Sequence, residues 1–213
     1  MEDEKTDDGH CLGQPSGFHL EKSNSLNIEN ETYTPKNIST LTWNDEEFCN
    51  CEFHHLDLPS VVFKNCKFFE CKFYHCNLSN LKVDSSTFRD NFFSQSKVIG
   101  INWTYATSVS TLKFDQSILD YSVFMGLQLK ASVFSNSSLK KVDFSGCHLR
   151  NSDFRKCDLL EATFNNSNLE LCDFREAINY LIDLSTVKLS KAKFSFPEAM
   201  GLLKVLDIHI EGF

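Results

Sequence analysis

Cysteine is the residue type that gives this sequence its most evident chemical capacity, since nine occur among 213 residues. Thiolates serve as nucleophiles and as zinc ligands. Cys49, Cys51, His54 and His55 lie in one short segment, the only metal-like cluster of the chain. Their spacing matches no common zinc motif, and alternate side chains of an extended segment point to opposite sides. We therefore predict no bound metal and no cofactor.

Regularly spaced Asp and Asn residues are the second candidate for chemistry. They are Asp57, Asn77, Asp143, Asp153, Asp158, Asn168, Asp173 and Asp183. Hydrolysis by paired carboxylates requires two groups that converge in a pocket, whereas regular spacing distributes these side chains along a surface. The sequence also contains no glycine-rich phosphate loop, Gly-x-Ser-x-Gly or His-Glu-x-x-His. We predict that the series faces solvent or stabilises corners, that no residue is catalytic and that the protein is not an enzyme.

A strict five-residue period explains where these residues lie. Every fifth residue from Phe48 to Trp103 is large and apolar, and a second series from Phe114 to Phe194 is interrupted only by Asn179. Neither the period of an α-helix nor that of an ordinary strand keeps such a series on one core. A chain that turns a corner every five residues does, and four such sides make one coil.

A second column of mostly small residues precedes the first by two positions. It includes seven of the nine cysteines: Cys51, Cys66, Cys71, Cys76, Cys147, Cys157 and Cys172. Because residues two apart point the same way in extended backbone, each unit directs one small and one large side chain inward. Here Cys acts as a small hydrophobe, and each Ser is expected to bond to the backbone of its own corner. From Phe114 onward Phe and Leu alternate, which predicts Phe on two opposite sides.

The units SDFRK, CDLLE and CDFRE resemble the consensus of the pentapeptide-repeat family, and the resemblance covers residues 46–196. It implies an all-β fold, a right-handed quadrilateral β-helix, which is a pentapeptide-repeat solenoid of about seven to eight coils. One additional residue separates the two series of large residues, and we place it within Thr104–Val109. A solenoid must cover its open ends, so we expect the flanking segments to include caps.

The N-terminal residues lie outside the period. Residues 1–32 are rich in Asp, Glu, Ser and Asn, which predicts a disordered acidic tail. The tail either solubilises the protein or modulates the binding of a partner. Residues 33–45, which include Leu41 and Trp43, are predicted to pack over the first coil as an N-terminal cap.

Residues 197–213 are predicted to form a C-terminal capping helix and dimerisation module. Pro197 and Glu198 are typical of the first turn of a helix, which we place over residues 196–206, and Asp207–Glu211 alternates like a strand. The apolar residues here exceed the needs of one cap, so we predict a homodimer, with a simple cap as the alternative. The residues assigned to the dimer interface are Leu202, Leu203, Leu206, Ile208 and Ile210.

The segments DFREAINYLIDL and KAKFSFPEAMGLLKVLDIHIEG resemble the C-terminal module of Qnr-type pentapeptide-repeat proteins. This resemblance implies a dimeric DNA mimic that binds DNA gyrase and topoisomerase IV and protects them from quinolones. Two features favour the alternative, a generic protein-interaction scaffold. Nine of the 29 acidic residues but only three basic ones lie in residues 1–45, which leaves the repeat nearly neutral. The long loops of some Qnr-type proteins are also absent from the register.

Charge and hydropathy argue against other classes of function. A formal net charge of −8 argues against direct binding of nucleic acid, which normally requires a basic surface. The first residues form no apolar signal segment, and no apolar run is long enough to span a membrane. We therefore expect reduced thiols, a cytoplasmic location and no membrane partner.

Overall fold

The computed structural model describes residues 27–36 and 42–206, in which short parallel strands are joined by tight corners. The strands are β1 (Asn27–Glu29), β2 (Thr32–Tyr33), β3 (Thr42–Asn44), β4 (Glu47–Cys49), β5 (Glu52–His54), β6 (Val62–Lys64), β7 (Lys67–Phe69), β8 (Lys72–Tyr74), β9 (Thr87–Arg89), β10 (Phe92–Ser94), β11 (Ser108–Ser110), β12 (Lys113–Asp115), β13 (Asp173–Phe174) and β14 (Lys193–Phe194). Two 3-10 helices occupy Trp103–Tyr105 and Glu198–Leu206. None of the described helices is long and apolar enough to cross a membrane.

Paired strands follow one another around a coil with four sides. Phe48 opposes Phe68, which opposes Phe88, so one turn takes four repeat units and the chain completes about eight turns. The predicted fold class, an all-β solenoid with four sides, is confirmed. We name the sides by their large inward residues: side A (Phe48, Phe68, Phe88, Val109, Leu129, Leu149, Leu169), side B (Phe53, Phe73, Phe93, Phe114, Phe134, Phe154, Phe174), side C (Leu58, Leu78, Val98, Leu119, Leu139, Leu159) and side D (Trp43, Phe63, Val83, Trp103, Phe124, Phe144, Phe164).

Aromatic columns fill the interior. Stacked rings repeat along side B, with centroids 5.0 Å apart for Phe134 and Phe154, and along side D, with 5.3 Å for Phe124 and Phe144. The two columns meet edge to face, at 84° and 5.6 Å between Phe144 and Phe154. Both arrangements suit the quadrupoles of the rings. Beyond Phe114 the phenylalanines occupy opposite sides B and D and the leucines sides A and C, as the alternation predicts.

The corners explain how a chain with few glycines turns so often. Almost every fifth residue adopts a left-handed backbone, including Asn50 (φ 50°) and Leu171 (φ 62°). This conformation costs about 1–2 kcal/mol for a residue other than glycine. Hydrogen bonds between coils offset the cost: Asn50 N–H donates to Phe69 O at 2.9 Å and Leu171 N–H to Ser190 O at 3.0 Å. The left-handed corner conformation is therefore stabilised by hydrogen bonds to neighbouring coils more than by the conformational preference of the corner residue.

The inserted residue lies where the sequence places it. Phe68 and Phe88 are separated by four whole repeat units, but the partner of Phe88 in the next coil is Val109, one residue further along than four units would bring it. The 3-10 helix at Trp103–Tyr105 absorbs the extra residue, and the Asn102 side chain caps it by accepting from Thr104 N–H at 3.1 Å. In the described part of the chain no other pairing departs from four whole units except across this same insertion.

The coil begins earlier than residue 46, which corrects the predicted N-terminal boundaries. Ile28 opposes Phe48 and Tyr33 opposes Phe53, so β1 and β2 belong to a preceding turn rather than to a disordered tail or a separate cap. The Tyr33 ring stacks on Phe53 at 4.9 Å. Trp43 is buried on side D and stacks on Phe63 at 4.8 Å. Residues 1–26 and 37–41, with Leu41, lie outside the described residues.

The C-terminal helix begins at Glu198, directly after Pro197, close to the predicted start. Leu202 packs against the core cluster, Leu203 is half-buried, and Leu206 is the last residue of the helix. Ile208 and Ile210 lie outside the described residues. The homodimer assigned to these five leucines and isoleucines therefore stays a prediction.

Candidate protein-binding surface

The cysteines of the small inward column are buried core residues, as predicted. Their thiols donate to backbone carbonyls of the preceding coil, as from Cys147 Sγ to Phe124 O and from Cys172 Sγ to Leu149 O, both at 2.9 Å. Burial raises the pKa of both thiols to about 12, so they stay protonated at neutral pH. A protonated, enclosed thiol is neither a nucleophile nor a metal ligand.

The metal-like segment is divided between interior and surface. Cys51 faces the core, whereas the His54 ring lies outside and stacks on Tyr74 at 4.8 Å. His55 occupies a corner and stacks on His75, also at 4.8 Å. Among the described residues no group of three or more His, Cys, Asp or Glu side chains is placed to hold a metal ion.

Serines of the small inward column use their hydroxyls to join coils. Ser86 Oγ lies 3.3 Å from Asp84 O at its own corner, which is the predicted local contact. It also lies 3.0 Å from Phe63 O and accepts from Cys66 N–H at 3.0 Å, so it links neighbouring coils as well. Ser132 Oγ is the exception, since it is buried without a partner.

The Asp and Asn series stabilises the sides of the coil, as predicted. Asp173 Oδ1 accepts from Arg175 N–H two residues later at 3.1 Å, and the Arg175 guanidinium forms an ion pair with the same carboxylate at 2.6 Å. This guanidinium lowers the pKa of Asp173. Asp143 likewise accepts from Ser145 N–H, at 2.8 Å. Each carboxylate is engaged by its own side of the coil, and the series does not converge on a pocket.

Charged residues of both signs cover sides A, B and C. Ion pairs span successive coils on two of these sides, with N–O distances of 3.0 Å for Glu47–Lys67 on side A and 3.2 Å for Lys140–Asp158 on side C. On side B, the Asp173–Arg175 pair lies within one coil. Such surface pairs contribute little to stability. These pairs show, however, that sides A, B and C each carry both signs of charge, so none of the three is uniformly acidic.

Side D differs in degree, because it carries the most exposed large apolar side chains of the regular coils, whereas Ile118 and Leu160 on side C are 36 and 43 % exposed. Tyr105, Tyr121 and Met125 are 65, 60 and 54 % exposed. Tyr121 and Met125 lie at the two ends of one side D segment, and Tyr105 occupies the next corner one coil earlier. Lys141 lies over the Tyr121 ring at 5.6 Å. We call Tyr105, Tyr121 and Met125 the side D patch.

Apart from Lys141 over the Tyr121 ring, the surroundings of the side D patch carry little charge and are open. Between Asn102 and Asn165, Asp143 is the only charged residue at the outward positions of side D, namely residues 102, 104, 123, 125, 143, 145, 163 and 165. Gly126 and Gly146 form the adjacent corner column with φ of 77° and 69°, and apart from its two chain neighbours no described residue approaches within 4 Å of the position that a side chain on Gly126 would occupy. The absence of side chains there leaves room for a partner beside Met125.

Sequence comparison bears on the family to which this coil belongs. A family model described as "Pentapeptide repeat region" matches residues 107–174. This match coincides with coils whose paired positions are four repeat units apart and whose inward residues recur at every fifth position. Residues 107–174 are a pentapeptide-repeat region. No curated protein matches it in sequence.

Solved structures of pentapeptide-repeat proteins are similar in fold. One is a trypsin-treated variant of QnrB1, a plasmid-mediated fluoroquinolone resistance protein, at 18% identity and a TM-score of 0.55, over 87% of this chain and 98% of that one. Another is HetL, a pentapeptide repeat protein involved in heterocyst differentiation regulation from the cyanobacterium Nostoc sp. strain PCC 7120. HetL shows 13% identity and a TM-score of 0.58, over 79% of this chain and 82% of HetL. At these identities the likeness shows the fold alone.

The side D patch is the feature that the sequence interpretation missed. A signal was available, since Tyr121 and Met125 are large apolar residues at positions that the period directs outward. Outward positions of a repeat vary freely, so a single apolar residue there carries little meaning. Only the folded coil shows that Tyr105, Tyr121 and Met125 lie on the same side.

Proposed function

We propose that this protein is a non-catalytic scaffold that binds another protein through the side D patch. The single observation that supports this function is the side D patch itself, the most exposed group of large apolar side chains on the regular coils, beside sides A, B and C that carry ion pairs. Exposed groups of large apolar side chains characterise binding surfaces. Aromatic residues and Met are enriched where proteins meet, and charged residues are depleted there.

The solenoid suits such a role because its surface is rigid. The corners and strands behind Tyr105 and Met125 are fixed by hydrogen bonds to neighbouring coils, as Trp103 N–H to Val123 O at 2.9 Å and Gly126 N–H to Ser145 O at 2.9 Å. A preorganised surface loses little conformational freedom on binding, which favours affinity.

Site-specific photo-crosslinking in cells tests the proposal. A photoreactive phenylalanine at Met125 is expected to give one discrete adduct, and Tyr121→Ser is expected to abolish it. The matched control places the same group at Lys130, the equivalent outward position on side A, where no adduct is expected. Absence of an adduct at Met125, or equal adducts at both positions, would contradict binding through side D.

A finer hypothesis makes DNA gyrase or topoisomerase IV the partner, with the rod as a mimic of duplex DNA. Likeness in fold to QnrB1 supports it, and the mixed charge of sides A, B and C counts against it. The generic scaffold is therefore the better supported of the two. A gyrase supercoiling assay with and without a quinolone separates them: the scaffold predicts no effect at micromolar protein, and protection from the drug would establish the finer function.

A further inference from the structure

The last coil separates from the coil beneath it on side D. One level earlier, three hydrogen bonds join the coils: Phe144 N–H to Thr163 O (2.9 Å), Gly146 N–H to Asn165 O (2.8 Å) and Thr163 N–H to Val142 O (3.0 Å). The equivalent groups of the next level are the N–H groups of Phe164 and Asn166 and the carbonyl of Ala162. Across the described residues, none of these three has a hydrogen-bond partner. Side D therefore ends in an open strand edge.

Asn179 is the cause of the separation. The period requires a large apolar residue at this inward position, but the Asn179 side chain lies outside and donates to Asp158 Oδ1 at 2.8 Å. Its backbone turns left-handed (φ 60°), and Tyr180 occupies the interior instead, at 6 % exposure. The chain that follows is out of phase, so Asp183 O accepts from Thr186 N–H at 3.1 Å rather than from the coil beneath.

A cleft of about 610 Å³ lies beside this open edge. Its lining is Glu161–Asn165 on the edge and Leu181, Asp183, Leu184 and Ser185 on the separated chain. The volume falls within the range of about 300–1,000 Å³ that ligand sites occupy. Leu181 is 58 % exposed at its rim, so the cleft combines an apolar wall with unpaired backbone groups. Unpaired strand edges of this kind bind extended peptides by adding a strand.

We propose that this cleft binds an extended segment of another protein as an added parallel strand with alternating apolar and basic residues. The added strand would repeat the pairing seen one level beneath. There Thr163 faces outward, and both its N–H and its carbonyl form hydrogen bonds with the coil below. In the added strand the outward residues would accept from Phe164 and Asn166 and donate to Ala162. The inward residues of the added strand would contact Leu184 and Phe164.

Charge complementarity assigns basic residues to the outward positions of the added strand. The outward column of side D runs Asp143, Thr163 and Asp183, so an outward side chain of the added strand, between Thr163 and Asp183, lies next to the Asp183 carboxylate, with Asp143 two levels beneath it. Hydrogen bonds from Ser185 lower the pKa of Asp183, which is therefore ionised at neutral pH. The inference concerns a different site from the side D patch, and either can fail without the other.

Fluorescence anisotropy with the full chain and a labelled Lys-Val-Lys-Val-Lys peptide tests the inference. The peptide is expected to bind with its lysines outward, so that the lysine N–H groups face the edge and the valine N–H groups face away. N-methylation of the lysine backbone nitrogens is expected to weaken binding at least about tenfold, because it removes the bond to Ala162 and obstructs the edge. N-methylation of the valine nitrogens is expected to change it little.

Protein variants provide the matched control. Asp183→Lys is expected to weaken binding, whereas Asp115→Lys, the same charge change on side B, is expected to leave it unchanged. Equal binding of both methylated peptides would mean association through charge alone and would overturn the inference, as would the absence of binding. Binding that starts only after removal of residues 207–213 would mean that the chain fills its own cleft, which also overturns it. None of these outcomes would affect the crosslink at Met125, because that experiment tests the side D patch and not the cleft.

Discussion

Two successive levels of side D show what keeps the coil regular. Between the segments around Phe144 and Phe164, three backbone hydrogen bonds join the coils, and between Phe164 and the following coil the same three are missing. The corner conformation costs the same at both levels. What differs is the inward residue that precedes the separated segment, Leu159 at the regular level and Asn179 at the open one.

The comparison indicates that hydrogen bonds between coils depend on the apolar interior. A large inward side chain such as Leu159 is fully buried and holds its segment against the coil beneath. An amide buried without a partner costs several kcal/mol, of the order of 2–7. The Asn179 side chain avoids this cost by turning outward to Asp158, and the segment after it loses its pairing. Polar inward residues such as Ser86 are therefore favoured where the adjacent backbone gives them partners, and Ser132 is an exception to this rule.

The largest expected effect is the loss of stability when an inward phenylalanine is replaced by alanine, in a regular coil or in the last coil. Phe144 is fully buried between stacked rings, whereas Phe194, in the last coil, is half-buried and stacks on Phe174 at 5.2 Å on one side. Phe144→Ala is expected to lower the free energy of unfolding by about 3–5 kcal/mol. Phe194→Ala is expected to cost less than about half of that, because less apolar surface leaves water on folding. Urea denaturation measures both, and equal losses would mean that the last coil is as tightly packed as the others.

A smaller effect is expected from two buried serines that differ in their partners. Ser86→Ala leaves Cys66 N–H without the acceptor that Ser86 Oγ provides, and it is expected to destabilise the protein by about 1–3 kcal/mol. Ser132→Ala removes a buried hydroxyl that has no partner, so its effect is expected to be near zero or stabilising. Thermal unfolding of the two variants beside the unmodified protein compares them. A larger loss for Ser132→Ala would refute the rule drawn from Asn179.

The sequence predicts most of this fold because every level repeats one pattern. The inward columns, the opposite Phe columns and the inserted residue before Val109 follow from the period alone. The large residues of the first turn do continue the period, since Ile28, Tyr33, Ile38 and Trp43 precede Phe48 at steps of five. This turn escapes the prediction because the column of small residues does not extend to it: Glu31, Lys36 and Glu46 occupy positions two residues before the large ones.

The candidate binding sites are predicted less well, and for a physical reason. The interruption at Asn179 is visible in the sequence, but the loss of partners for Phe164 and Asn166 depends on where the chain rejoins the coil, at Lys188. The position at which the chain rejoins the coil depends on the relative energies of packing and of turns, and the five-residue period gives no information about these. The side D patch occupies outward positions, where the period places no demand on residue type.

The smallest expected effect concerns the acidic side chains of the two regions. In the regular coils the Arg175 guanidinium lowers the pKa of Asp173, and in the separated coil Ser185 lowers that of Asp183. A carboxyl whose pKa is lower in the folded state stabilises the fold above its unfolded pKa of about 4, and this contribution disappears as pH falls through the folded value. Arg175→Gln is expected to raise the pKa of Asp173 and leave that of Asp183 unchanged, as NMR titration of the carboxyl carbons would measure. The stability lost at neutral pH is expected to be small, since solvent screens a pair this close to the surface. An unchanged Asp173 titration would mean that the backbone N–H of residue 175, rather than its guanidinium, sets the affinity of this carboxylate for protons.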